Sequence, residues 1–452
     1  MNEPPLALPA LRNPAVSALL DNDPALLESL VDGLGSPLHV VLPEVFEDNV
    51  TALREAFTRS GAVVDILFAK KANKADAYVR AAARLGIGVD VASTPELIGS
   101  LAGGVPGQRI GVSGPEKDDT LHALAVHHGC LVAVDSLDEA RRLAATARRA
   151  GTTVRVLLRA RARSQPRSRF GMAAEELRAA VGLCGELAGD ITLRGFSFHL
   201  SGYSAAERAA AADEMIDHCV HARRCGSPSA EIVDIGGGLP VRYVEPSRWD
   251  EFLQRNEPGR YHANKEIKDF YPYGGQPAVE AARDIMAYPV NDRESLARRA
   301  ARDGIRFIVE PGRALLDQAG FTLFRVQQVD DRSDTDGYAI VTVAGSSFSL
   351  SEQWFGSEYL PDPELLTARP AGAEVFPACV AGSTCLESDM LTWRKIAFPR
   401  PVRRGDHLVY LNTAGYQMDS NESPFHDIPL PRKVVLRTSG DGRSPSWRLD
   451  GL

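Results

Sequence analysis

Eight short apolar runs alternate with alanine-rich amphipathic stretches between about residue 62 and residue 313, and this alternation constrains the fold more than any other feature. The runs are VVDILFAKK, IGVDVAS, RIGVSG, LVAVDS, TVRVLLRA, LRGFSFHLS, EIVDIGGG and RFIVEPGR. The intervening residues 76–86, 95–104, 138–151 and 174–189 carry helical periodicity. Continuously apolar strands separated by helices belong to a parallel sheet covered by helices. Eight such units predict a closed (β/α)8 barrel. An open doubly wound sheet would place its glycine-rich turn near the first strand, whereas the glycine triplet here comes late.

After residue 318 the pattern changes to FTLFRVQQVD, GYAIVTVAG, HLVYLNTAG and KVVLRTSG, separated by turn residues. These read as antiparallel strands of a second, β-rich domain. SPLHVVLPEVF, at 36–46, reads as an extra strand joining it. The expected division is a barrel over 45–318 and a β-domain built from 1–44 plus 319–452. One stretch exceeds a βα unit: about 252–282 is an aromatic, glycine-bearing insertion, either a lid over the barrel mouth or a surface excursion.

The chain has 452 residues, 44% of them hydrophobic and 24% charged, with a formal net charge of −8. That is globular composition with no nucleic-acid-binding surface indicated. No apolar run reaches the ~20 residues needed to span a bilayer. The first residues lack a basic segment and a continuous apolar core, so no signal peptide is expected. Six cysteines without CxxC spacing predict reduced thiols and no metal, hence a cytoplasmic protein.

In a barrel of this kind chemistry collects where strands end. Lys71, Asp90, Arg159, His199, Gly236, Gly237, Gly238 and Glu310 all fall at or just past a strand end. Lys71 closes the first run and is a candidate Schiff-base former. Strand alternation turns Lys70 to the opposite face. The glycine triplet offers backbone N–H groups without side chains, which suits a phosphate cradle.

AKKAN, VDVAS, SRFGM, FSFHLSG, DIGGGLP, EPGRAL, GSTCLESD and NTAGYQM occur in this order. Together they resemble the fold-type III pyridoxal-phosphate enzymes of the diaminopimelate, ornithine and arginine decarboxylase group, over about residues 36–435. The resemblance implies a barrel followed by an antiparallel β-domain, pyridoxal 5′-phosphate as cofactor, and an amino acid as substrate. It implies that Lys71 carries the cofactor, with Asp90 nearby. His199 would stack on the ring and Arg159 would lie close to it. Gly236, Gly237, Gly238, Gly312, Arg313, Ser201 and Tyr416 would hold the phosphate. Glu310 would face the ring nitrogen. A carboxylate there favours the protonated ring, a deeper electron sink suited to loss of CO2. Barrel-type alanine racemases place an arginine at that point. Cys385 matches a cysteine that enters from the partner subunit and can protonate the carbanion, which implies a homodimer with sites at the interface.

The chain departs from the pattern in two places. After the stacking histidine it reads Leu200-Ser201-Gly202 where relatives read HxGS. The position after the cysteine is Leu386 rather than an acid, with Glu387 and Asp389 nearby as the candidate substrate-binding carboxylates. A divergent amino-acid decarboxylase is the expectation. The alternatives are a PLP-dependent racemase or epimerase, and a non-catalytic regulatory homologue.

Overall fold

The computed structural model describes residues 5–271, 275–292, 294–350, 356–366, 375–437 and 445–451. The remaining parts of the expected domains and insertion (272–274 in the insertion, 438–440 at the end of the KVVLRTSG run) lie outside the described residues.

The eight apolar runs form the strands of one closed parallel barrel: Val64–Ala69, Gly88–Val91, Ile110–Val112, Leu131–Val134, Val154–Arg159, Ile191–Ser197, Ile232–Asp234 and Arg306–Val309. Closure joins the last strand to the first, with Phe307 opposite Val64 and Val309 opposite Ile66. Side chains alternate across each strand. Leu67, Leu131, Leu157, Ile232 and Ile308 therefore meet inside the barrel as one apolar layer. Two residues further along the same inward faces stand Arg159, Asp234 and Glu310. Three of the covering helices start on a Ser-x-x-Glu box. Ser93, Ser136 and Ser204 accept from the backbone N–H of Glu96, Glu139 and Glu207. The Glu96 and Glu139 carboxylates reach back to the N–H of Ala92 and Asp135. These boxes fix where each strand hands over to its helix, and so where the residues at the mouth point.

The second domain is a nine-stranded sheet containing all four runs expected after residue 318. It is mixed rather than purely antiparallel. Leu38–Val41 pairs antiparallel with Gly320–Arg332 but parallel with Arg432–Arg437, because it enters from the other end of the chain. Tyr338–Val343 also runs parallel to Phe376–Ala381. Ahead of Leu38–Val41 the chain is helical over Pro14–Asn22 and Pro24–Leu34, so among the described residues only that strand brings β-structure from the N-terminal part.

The insertion packs on this second domain. Tyr261 is buried and bridges Arg394, the His262 ring bonds the Tyr338 hydroxyl at 2.9 Å, and Asp269–Tyr271 pairs with Ser357–Tyr359. None of its described residues lines the pocket around Lys71. Among the described residues no helix is long and apolar enough to cross a membrane, and all six cysteines are free.

Candidate active site

The carboxyl ends of the barrel strands open into a pocket of about 190 Å³ that brings together Lys71, His199, Ser201, Gly237, Gly238, Glu310, Gly312, Arg313 and Tyr416. Asp90, Arg159 and Gly236 lie around and beneath it. Cys385, Glu387 and Asp389 are not in its lining. A larger cavity of about 430 Å³ opens at the amino ends of the strands and contains none of the motif residues.

Lys71 leaves the first strand on a single turn of 3-10 helix, Lys70–Ala72. Its Nζ is 3.9 Å from the Asp90 carboxylate. Burial works against the lysine charge, but Asp90 and then Glu310 outweigh it and hold its pKa above the usual lysine value. Lys70 is buried on the other side and donates to the Lys74 carbonyl.

Three acids crowd the base of the pocket. Burial, then the charge of Glu310, pushes Asp90 up to about 8. Glu310 and Asp234 are hydrogen-bonded; burial, then the charge of Asp234, raises Glu310 to about 8, while burial and the charge of Asp90 raise Asp234 to about 7. Asp90 Oδ1 is buried without a hydrogen-bond partner. Lys71 and Arg159 do not neutralise this group fully, so the site favours a further cation or N–H donor.

The glycine turn is a cradle that only glycine fits. Gly236 has φ +67 and donates to Asp234 Oδ1 at 2.9 Å. A Cβ on Gly237 would come 2.7 Å from the Glu310 carbonyl, and one on Gly312 would come 2.9 Å from the Tyr416 hydroxyl. Gly238, at φ +77, lies against Arg208. Arg313 donates to Tyr203 Oη at 2.6 Å and lies over the Tyr416 ring. The cradle thus presents backbone N–H groups, a guanidinium and a phenol at one end, with paired acids at the other. That donor set fits the phosphate and the protonated ring nitrogen of pyridoxal phosphate.

His199 flanks the pocket, and burial, then the Lys71 charge, pulls it down to about 4. It is neutral at physiological pH. Ser201 lines the pocket too, and Gln165 pins its backbone through both its N–H and its carbonyl.

Several positioning residues were not singled out from sequence. Asp135 ends the fourth strand run, meets Arg159 Nη1 at 3.3 Å and accepts from the Gly171 N–H. Asp234 lay within the quoted DIGGG motif without a role. Both close strand runs as Asp90 does, a signal that was available. Arg208 is buried on a helix and bonds the carbonyls of Ile235, Gly202 and Gly238, fastening the glycine turn from behind. Nothing in the local sequence distinguishes it.

The cysteine loop stands apart. Cys385 and Glu387 are exposed. Asp389 is buried, with Oδ1 accepting from the Ser347 N–H at 2.7 Å and Oδ2 from the Thr384 hydroxyl at 2.6 Å. Its carboxylate is committed to shaping the loop.

Residues 46–317 match the pyridoxal binding domain of the pyridoxal-dependent decarboxylases. The chain is 37% identical over 441 residues to the uncharacterized protein y4yA of Sinorhizobium fredii, covering 96% of this chain and 95% of that one. The chain belongs to the pyridoxal-dependent decarboxylase family. It is also 26% identical to diaminopimelate decarboxylase of Bacillus subtilis, covering 90% of this chain and 88% of that one. The fold is shared with lysine/ornithine decarboxylase of Vibrio vulnificus, at a TM-score of 0.71 and 20% identity over 94% of this chain and 99% of the other. Pyridoxal phosphate is the cofactor of this family, and the decarboxylase barrel with its β-domain is the architecture described above.

Proposed function

We propose that this chain removes the α-carboxylate of an amino acid or amino-acid derivative, with Lys71 as the covalent attachment point of pyridoxal phosphate. The observation that carries this reading is that Lys71, Glu310 and the glycine cradle face one pocket at the barrel mouth. When bound, the cofactor supplies an electron sink for the charge left on the α-carbon. Glu310, backed by Asp234, keeps a proton on the ring nitrogen. Gly237, Gly238, Arg313 and Tyr416 grip the phosphate. His199, in the pocket lining, would stack on the ring as a neutral imidazole and so would not compete with Lys71 for its acids. Arg159, aimed by Asp135, would lie close to the bound ring.

Cys385 is the proposed proton donor to the α-carbon. The thiol is exposed and outside the pocket lining of its own chain, which agrees with the resemblance-based reading that it serves the pocket of a second copy in a homodimer. With Asp389 committed to its loop, Glu387 is the remaining acid there for the far end of the substrate.

The test is borohydride reduction of the cofactor-loaded protein with peptide mapping, together with a screen of amino acids for CO2 release. The expected result is a pyridoxyl label on Lys71 and CO2 from at least one amino acid. Loss of optical activity without CO2 would replace decarboxylation by racemisation. A label on another lysine would reject the assignment of Lys71.

A further inference from the structure

Cys385 and His426 form a pair outside the pocket of their own chain. Cys385 Sγ and His426 Nε2 are 3.1 Å apart, within hydrogen-bond distance for a thiol and an imidazole. Both side chains are exposed, and they come from turns 41 residues apart.

Each turn is braced. The cysteine loop closes on the buried Asp389, which takes the Ser347 N–H and the Thr384 hydroxyl. A Cβ on Gly382 would overlap the Asp389 carboxylate, so the loop is built around that contact. His426 has φ +61, in the left-handed region that non-glycine residues seldom occupy. Its ring lies 4.3 Å from the Phe425 ring, and Phe425 packs edge-on to Phe348. A second exposed cysteine provides a contrast. Cys225 Sγ is 3.5 Å from His221 Nε2, at the end of one helix, where residues four apart meet without any special arrangement. The Cys385–His426 contact is longer-range, shorter in distance and held on both sides.

We propose that His426 positions Cys385 and resupplies its proton, so that the two form the acid half of a site completed by a second copy of the chain. This rests on the reading of Cys385 as proton donor to the α-carbon. The step balances without another reactant. The Cys385 S–H bond breaks as the Cα–H bond forms. The thiolate then takes a proton from Nε2 of His426 in its imidazolium form, leaving neutral imidazole, which takes up one proton from solvent; that proton is the one that replaces the departed CO2.

The test uses the cofactor-loaded enzyme in a Cys225→Ser background, which removes the other exposed thiol. Two readouts are followed in His426→Asn, Cys385→Ala and the double variant. The first is the rate of Cys385 alkylation by iodoacetamide, which needs no turnover. The second is the share of turnovers in which the proton goes to the cofactor instead of the α-carbon, leaving pyridoxamine phosphate and releasing an aldehyde. His426→Asn is expected to slow alkylation about ten-fold and to raise the aberrant share about ten-fold. The double variant should be no worse than Cys385→Ala alone. Unchanged alkylation in His426→Asn, or additive effects in the double variant, would overturn the pairing. Mixing Lys71→Ala with Cys385→Ala chains should restore about a quarter of the activity, one intact site per mixed dimer. Failure to restore any would overturn the second-copy arrangement. Absence of CO2 release from every amino acid would instead reject the decarboxylase reading, which the alkylation result does not touch.

Discussion

Replacing Glu310 with glutamine separates the cost of the acid from its use. Glu310 is raised from 4.5 to about 8, chiefly by burial and then by Asp234. A shift of that size corresponds to roughly 5 kcal/mol between the protonation states. Glu310 is partly open to the pocket and shares a proton with Asp234, so about half of that, about 2 kcal/mol, is the working figure. The sign follows from linkage. A carboxyl whose folded pKa is raised contributes stability that is fully present below its unfolded value and is lost as pH rises through about 8. The cofactor-free protein should therefore lose stability between pH 5.5 and 8.5. Glu310→Gln should flatten that slope and melt about 2–4 °C above the wild type at the alkaline end. The loaded enzyme should behave in the opposite sense. The wild type should gain more from pyridoxal phosphate at alkaline pH than the glutamine variant, because the protonated ring meets the charge. Decarboxylation should fall at least ~100-fold in the variant. The assay is thermal melting of both proteins with and without cofactor across this range. Equal pH slopes for wild type and variant without cofactor would refute the argument that the pocket floor is short of positive charge.

Three further substitutions test the rest of the site. Gly237→Ala places a Cβ 2.7 Å from the Glu310 carbonyl, which backbone cannot readily yield, and should weaken pyridoxal phosphate binding ten-fold or more in an absorbance titration. Equal affinity would show that the cradle is looser than drawn. Asp135→Asn removes the charge that aims Arg159, and should cost about 1–3 kcal/mol of transition-state stabilisation in kcat/KM while cofactor affinity stays the same; a parallel loss of cofactor would make Asp135 a fold residue. Arg208→Met strips the hydrogen bonds from three carbonyls around the glycine turn and should lower unfolding free energy by about 2–4 kcal/mol in denaturant titration. A change below ~0.5 kcal/mol would mean the turn holds itself.

The barrel was legible in the sequence because burial on both faces writes each strand as a continuous apolar run, with helical stretches between the runs. Lys71, Asp90, Arg159 and Glu310 were legible because they fall at or just past strand ends, where a barrel of this kind collects its chemistry. Within the β-domain the short pieces Glu364–Leu366 and Ser357–Tyr359 gave no such pattern, and the parallel partnership of Leu38–Val41 with Arg432–Arg437 joins segments from opposite ends of the chain. Local periodicity carries no information about a partner that far away.

What the sequence determined by itself was the order and type of the elements and the chemical kind of the residues at the barrel mouth. Tertiary structure decided which of them work together. It set Asp234 against Glu310 and Arg208 behind the glycine turn, spent Asp389 on its own loop, and brought His426 to Cys385. Each of these is a contact between residues remote in sequence, or a matter of which side chain is buried. Such facts follow from packing the whole chain, because desolvation and hydrogen-bond geometry exist only once the surrounding atoms are in place.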